Sequence, residues 1–421
     1  MKRNLKELFG GDFRQFGMIA ALIAIALFFQ WRTDGKVFQA QNLMNLVMGN
    51  TYVLVLAIGM VLVIIAGHID LSVGSVAATV GIIVAIAMRD HNVSPWLAIL
   101  LGMIIGILIG TWQGFWVAKW GIPAFIVTLA GMLLFRGMNQ FIGHSLTVPV
   151  PEVFQYLGAG YLPDIAPDVI PFNLPTMILA VLAAVAIIGG ELRSHKVKNE
   201  EGAVKTPLWI PLLRSGVISL VIVWFGWIFA TGREGTSFPV PGVIVVVLAL
   251  VYSFIAERTI LGRSVYAIGG NKAAAELTGV KVVKTNFFVI CNSAFLAAIA
   301  GMLFIGRSTA SGPADGNMWE LDAIAAVFIG GAAVSGGIGT IGGTMVGALV
   351  MAFLNNGLQL LGVGSDMTQM IKGLVLLIAV ALDVYSKRQG KRSIIGTFMN
   401  ARSHQKAMQA KDSASPDQAS A

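Results

Sequence analysis

Charge and cysteine are what this sequence has least of. Only 12% of its 421 residues are Asp, Glu, Lys or Arg, about half the share of an ordinary soluble protein. So few charges cannot cover the wet surface of a chain this long, which excludes a soluble multidomain protein. The single cysteine, Cys291, lies in an apolar run, allows no internal disulfide and reads as a small hydrophobe. His68, His91, His144, His195 and His404 fall at no ligand spacing, so no metal site is expected. The phosphate-binding pattern G-x-x-x-x-G-K-[ST] is missing, and if ATP drives this protein another chain must hydrolyse it. No nucleophile, base and orienting group come together, so the chain is not expected to be an enzyme, nor to carry a cofactor. Basic stripes interleaved with aromatics are absent too, which excludes nucleic acid as a partner despite a net charge of +8.

What is there is apolar. Hydrophobic residues make up 56% of the chain, with 49 glycines, and the mean hydropathy is +0.79. Lipid is therefore the solvent for most of it. A bilayer core takes about 20 apolar residues per helix. That length divides the chain into apolar segments from 16–31 to 367–384, among them 121–143, 286–306, 321–334 and 340–361. The fold class expected is all-α: a polytopic membrane bundle of about 10–12 transmembrane helices. Some of these should be broken or re-entrant, because several segments are too short or too glycine-rich for simple spans.

The charges sit between the apolar runs. Lys2, Arg3, Lys6 and Arg14 precede the first run, but Trp31, Arg32, Thr33 and Asp34 follow it in place of a cleavage pattern. The run reads as an uncleaved first membrane helix with residues 1–15 in the cytoplasm. Loop 191–206 carries Arg193, Lys196, Lys198 and Lys205; loop 257–285 carries Arg258, Arg263, Lys272, Lys281 and Lys284; the tail 385–421 is basic as well. By the excess of Lys and Arg in cytoplasmic loops, all three are cytoplasmic. Segment 144–175 has Glu152, Asp164 and Asp168 with no Lys or Arg and reads as external. A multi-pass protein with both termini in the cytoplasm follows, its membrane domain spanning 16–384. From about 401 the tail is Ser/Ala/Gln-rich and is expected to be disordered.

Two segments interrupt the apolar runs with glycine and polar residues, as transporters do where freed backbone groups meet a polar substrate. They share the spacing G-x4-S-x-G, in Gly67/Ser72/Gly74 and Gly330/Ser335/Gly337. Asp70 is a carboxylate between apolar runs. It either caps the helix that starts near Ser72 or serves a substrate path or gate. Arg136, near the end of 121–143, either snorkels to the interface or faces the path. Gly102, Gly106, Gly110 and Gly114 recur every four residues and should form a packing groove on one helix face. Gly337, Gly339 and Gly342 match a dinucleotide fingerprint in letters only, with neither strand nor acidic partner in place. In the basic loop 257–285, Asn271 can cap a short helix to about Thr278 that Gly279 ends. Such an exposed helix between membrane spans suits docking of a partner.

Gly67 to Ser75 resembles the G-x-I-D-L-S-V-G-S element, and Tyr266 to Gly279 the Y-A-x-G-G-N-x-x-A-A-x-x-x-G loop, of the permeases of bacterial ATP-binding cassette importers for ribose, xylose, galactose and related sugars. Glu320 to Ala326, Gly339-Thr340, Gly343-Thr344, Asn355-Asn356-Gly357 and Lys372-Gly373 extend the likeness over roughly 42–384. The resemblance implies alternating access without chemistry on the sugar, in the plasma membrane of a bacterium. It implies as partners an ATP-binding subunit, an extracytoplasmic sugar-binding protein, a second permease copy, membrane lipid and a monosaccharide substrate. Gly269, Gly270, Asn271, Ala274, Glu276 and Gly279 would couple to the ATPase; Asp70, Ser72, Ser335, Asn355 and Asn356 are the candidates for the path or gate. The basic loop 191–206 and the span 207–230 lengthen the chain beyond ribose-type members and look more like the xylose-type and multiple-monosaccharide branch. The alternatives are a permease of the same type for branched-chain amino acids or nucleosides, and an ion-coupled secondary transporter.

Overall fold

The computed structural model describes residues 13–165, 170–200, 208–233 and 235–389. Asp168, Lys205 and the tail beyond 389 lie outside the described residues. Two compact units divide the chain, Met1–Lys372 and Gly373–Ala421. In the first unit the helices are α1 (Phe13–Arg32), α2 (Ala40–Ile65), α3 (Val73–His91), α4 (Pro95–Gly114), α5 (Ala124–Ile142), α6 (Glu152–Ala159), α7 (Leu174–Glu200) and α8 (Trp209–Ala230). They continue with α9 (Val240–Arg258), α10 (Ile260–Gly270), α11 (Lys272–Leu277), α12 (Val282–Ser308), α13 (Trp319–Ile329) and α14 (Ile341–Leu360). The last helix, α15 (Ser365–Gln389), begins in the first unit and makes up the described part of the second, where Leu374, Leu377 and Ile378 are exposed.

Nine helices among the described residues are long and apolar enough to cross a membrane. They sort into two layers. The apolar windows of α2, α3, α12 and α14 are 89, 78, 72 and 67% buried inside the protein, whereas those of α4, α5, α7, α8 and α9 are only 17 to 28% buried. An outer ring that is apolar yet uncovered would be insoluble in water and is at home in hydrocarbon. The chain is therefore an all-α, multi-pass membrane protein. Its core is built on α2, whose run from Tyr52 to Ile65 has no polar outer face to offer. Around α2 pack α9, α12, α13 and α14.

The four-residue glycine spacing on α4 does form the groove expected. A β-carbon on Gly106 would lie 2.6 Å from Ala298, and one on Gly110 2.7 Å from the Cys291 Cα, so the two helix backbones meet directly along α4 and α12. Apolar helices have no hydrophobic drive to associate in lipid, and close backbone approach supplies the dispersion contacts instead.

Two elements differ from the sequence reading. Segment 321–334 is not one span: α13 stops at Ile329, Gly331 takes φ +84°, and the chain runs without helix to Thr340, whose hydroxyl accepts from the Gly343 amide at 3.0 Å to start α14. Loop 191–206 is helical in its first half, since α7 runs on to Glu200 with no breaker before Gly202. The hairpin of α7 and α8 closes where Gly226 meets Ala180.

The ends of the bundle are built differently. At one end β1 (Val148–Pro149) pairs with β2 (Ala310–Ser311), Tyr161 bridges to Pro239, and α6 lies over the end of α12 with Gly158 tight against Leu303 and Arg307. At the other end α10 and α11 follow α9, beside the end of α2 and the start of α12.

Candidate translocation cleft and docking face

Asn42, Asn45, Gly49 and Tyr52 fall at i, i+3, i+7 and i+10 of α2 and so share one helix face. Asn355, Asn356 and Gln359 lie on the facing helix α14. Between them, bounded also by the end of α12 and the first turns of α15, opens a cleft of about 800 Å³. Two amide rungs join its walls. Asn42 and Asn356 exchange hydrogen bonds at 2.9 Å in both directions, and Asn355 donates to Asn50 at 3.3 Å. The Asn355 carbonyl oxygen and the Arg307 Nε are buried without a hydrogen-bond partner among the described residues. Tyr52 and Phe304 add an aromatic wall with Trp319 behind them, ring centres 4.3 to 5.4 Å apart. Amide groups both donate and accept, so this lining can bond hydroxyls in any orientation while an aromatic face takes the C–H side of a ring.

Asp70 and Ser72 are not in this cleft. Both are fully buried, where one Asp70 oxygen accepts from the Ser72 amide at 2.9 Å and the Ser72 hydroxyl at 2.7 Å, and the other accepts from Ser293 of α12 at 2.7 Å. Gln113 of α4 donates to the same Ser72 hydroxyl at 2.8 Å, and Thr128 of α5 receives the Leu71 amide at 3.1 Å. Four helices, α3, α4, α5 and α12, are thus tied at the start of α3. The carboxylate satisfies an orphan amide of the helix start, as a capping side chain does.

Ser335 lies apart from all of these, exposed in the non-helical link between α13 and α14. That link meets the other helix break and α10 at glycines. The Gly337 amide donates to the Ile65 carbonyl at 2.8 Å, a β-carbon on Gly269 would overlap the same carbonyl, and one on Gly336 would press on Gly67. The Tyr266 hydroxyl donates to the Gly339 carbonyl at 2.6 Å. Burial raises the affinity of that phenol for its proton, and Glu257 nearby raises it further.

Beyond Gly270 the chain turns into α11. The Asn271 side chain accepts from the Ala274 amide at 3.0 Å, capping the helix, and Gly279 follows it at φ +86°. Ala275 is buried with Ile268 and Val282, which fixes α11 on the bundle while Glu276 stays exposed and Leu277 is 90% exposed. Sequence reasoning missed α10 and the cleft residues of α2, and it named Arg136, Glu320, Asp322 and Lys372 without pairing them. Glu320 is buried 3.9 Å from Arg136, and Asp322 pairs with Lys372 at 2.9 Å. The signals for these were the polar face at helical spacing on α2 and acids inside an apolar run.

The described family of branched-chain amino acid transport system permease components matches residues 41–380. The chain is 37% identical to the xylose transport system permease protein XylH of Escherichia coli (strain K12), over 92% of this chain and 95% of that protein. It is 36% identical to XylH of Haemophilus influenzae (88% of this chain, 96% of that one) and 32% identical to the ribose import permease protein RbsC of Escherichia coli (strain K12; 88% and 93%). No solved structure matches the chain significantly.

Proposed function

Because the chain belongs to the branched-chain amino acid transport system permease family, we propose that it is the translocation subunit of an ATP-binding cassette importer for a monosaccharide, D-xylose first among its cargoes. The observation that carries this reading is the cleft between α2 and α14. Its amide-rich lining suits a polyhydroxylated ring better than an aliphatic amino-acid side chain. Asp70, which an ion-coupled carrier would use as its carboxylate, is instead fully engaged by Ser72 and Ser293. The identities to xylose and ribose permeases support the sugar as cargo.

In this reading the end bearing Arg258, Arg263, Lys272, Lys281 and Lys284 faces the cytoplasm of a bacterium, and both termini lie there. A separate ATP-binding subunit docks on α11, with the exposed Glu276 and Leu277 at the contact. A sugar-binding protein delivers cargo at the end built from α6 and the β1–β2 pair, and a second copy of the chain completes the pathway. ATP binding and release shift the populations of two conformations that open the cleft to opposite sides. Chain atoms bind the sugar by hydrogen bonds and release it, and form no covalent bond with it.

The test is uptake of labelled D-xylose in cells carrying this chain, with the partner ATPase intact or disabled at its phosphate-binding lysine. Uptake should be lost with the disabled ATPase. Uptake that survives but collapses with the proton gradient would overturn the reading. Reversing the docking charge by Glu276→Lys should cut uptake by about tenfold or more while the protein stays in the membrane; normal uptake would remove Glu276 from the contact.

A further inference from the structure

The cleft contains cations and no carboxylate. Of its two basic residues, Lys372 is neutralised by Asp322 at 2.9 Å. Arg307 has no ion pair among the described residues, and its Nε is buried with no hydrogen-bond partner. Glu320, which is buried and does not line the cleft, has Arg136 3.9 Å away. The Arg307 backbone is held under α6, where a β-carbon on Gly158 would overlap the Arg307 amide, so the residue stays at the cleft wall. The cleft therefore presents one uncompensated guanidinium among uncharged amides and hydroxyls.

A guanidinium donates through a planar fork that suits a hydroxyl pair or a carboxylate, and it never loses its proton at physiological pH. An ammonium group entering the same space would give up water next to a fixed like charge, with no carboxylate to receive it. We propose that Arg307 makes the cleft a charge filter, which admits neutral and carboxylate-bearing monosaccharides and rejects those bearing an ammonium group. This rests on reading the cleft as the sugar's path.

Reaction of an introduced thiol with small charged reagents reads the filter without involving the specificity of any binding protein. Asn45 is exposed and lines the cleft, as is Gln369. Asn45→Cys is made in a Cys291→Ala background, with Gln369→Cys as the alternative should the first fail to assemble. Each is purified with its ATPase in lipid and treated with an anionic or a cationic methanethiosulfonate. Any effect of Arg307 on thiolate content acts on both reagents alike and cancels in their ratio. Relative to a free thiol, the anionic reagent should be favoured by about tenfold or more. The preference should vanish in Arg307→Gln and persist in Arg307→Lys.

Equal rates, a preference for the cation, or a preference unchanged by Arg307→Gln would overturn the filter and leave a water-filled path. Failure of both thiols to react with either reagent would overturn the path itself, and the filter with it. Consistent transport behaviour would follow in uptake assays: amino sugars should fail to compete at the membrane step, and sugar acids should not.

Discussion

Asp70 shows how one carboxylate can serve architecture at a place where function is the first suspicion. Replacing it by Ala leaves the Ser72 amide and the Ser72 and Ser293 hydroxyls without their acceptor. Orphaning buried donors costs about 1–3 kcal/mol each where no partner substitutes. Asp70→Ala should therefore lower the thermal midpoint of the purified protein clearly. Asp70→Asn should lose less than half as much, since its carbonyl oxygen can still take the Ser72 amide while the Ser293 hydroxyl turns to accept. Alanine and wild type melting together would return Asp70 to the gating reading. Both readings were open in the sequence because a helix start and a polar path use the same residue types. The hydrogen bond from Ser293, 223 residues away, supports the architectural reading and is invisible to local spacing. Arg136 was ambiguous for a similar reason: its counter-charge Glu320 comes from α13 and is invisible to local spacing.

Among the elements, α4 and α12 give the sharpest contrast. Gly110 faces the Cys291 backbone at a distance that admits no side chain, whereas Gly137 on α5 has nothing within 4 Å of where a β-carbon would stand. Gly110→Leu should force the helices apart and cost about 1–3 kcal/mol or more, read as loss of folded protein in detergent. Gly137→Ala should be neutral or stabilise by up to about 1 kcal/mol, because alanine restricts the unfolded chain without meeting a neighbour. Equal effects from the two would mean that close packing does not hold this pair of helices. The α4 groove was legible because a period of four is a property of one helix alone. The glycine break at Gly330 was legible as well, but its extent was not: span 321–334 ran past it, whereas α13 stops at Ile329 and the link that follows reaches Ile65. Helix α10 escaped notice because eleven residues between a capping Thr259 and Asn271 carry too short a pattern to separate from a loop.

For the whole molecule, composition alone fixed the solvent, and the apolar run lengths fixed most of the spans; the division into an inner and an outer layer required tertiary contacts. So did the cleft, because the asparagines of α2 and α14 are about 300 residues apart in sequence and meet only in the fold. The amide lining of this cleft, between two apolar helices, could not be left facing hydrocarbon. Particles purified in lipid with their ATPase should accordingly contain two copies of this chain, by mass, and single-copy particles would show that the cleft is closed some other way. The contact among Ile65, Gly269 and Gly337 runs through backbone atoms, with the Tyr266 hydroxyl on the Gly339 carbonyl beside it. A joint made of main chain asks for glycine at the contact itself, where a β-carbon on Gly269 would overlap the Ile65 carbonyl, and leaves the residues farther out free to vary. On the proposed function, the cleft asparagines and the exposed tip of α11 could then change with cargo and partner while the glycine contact between them stays as it is.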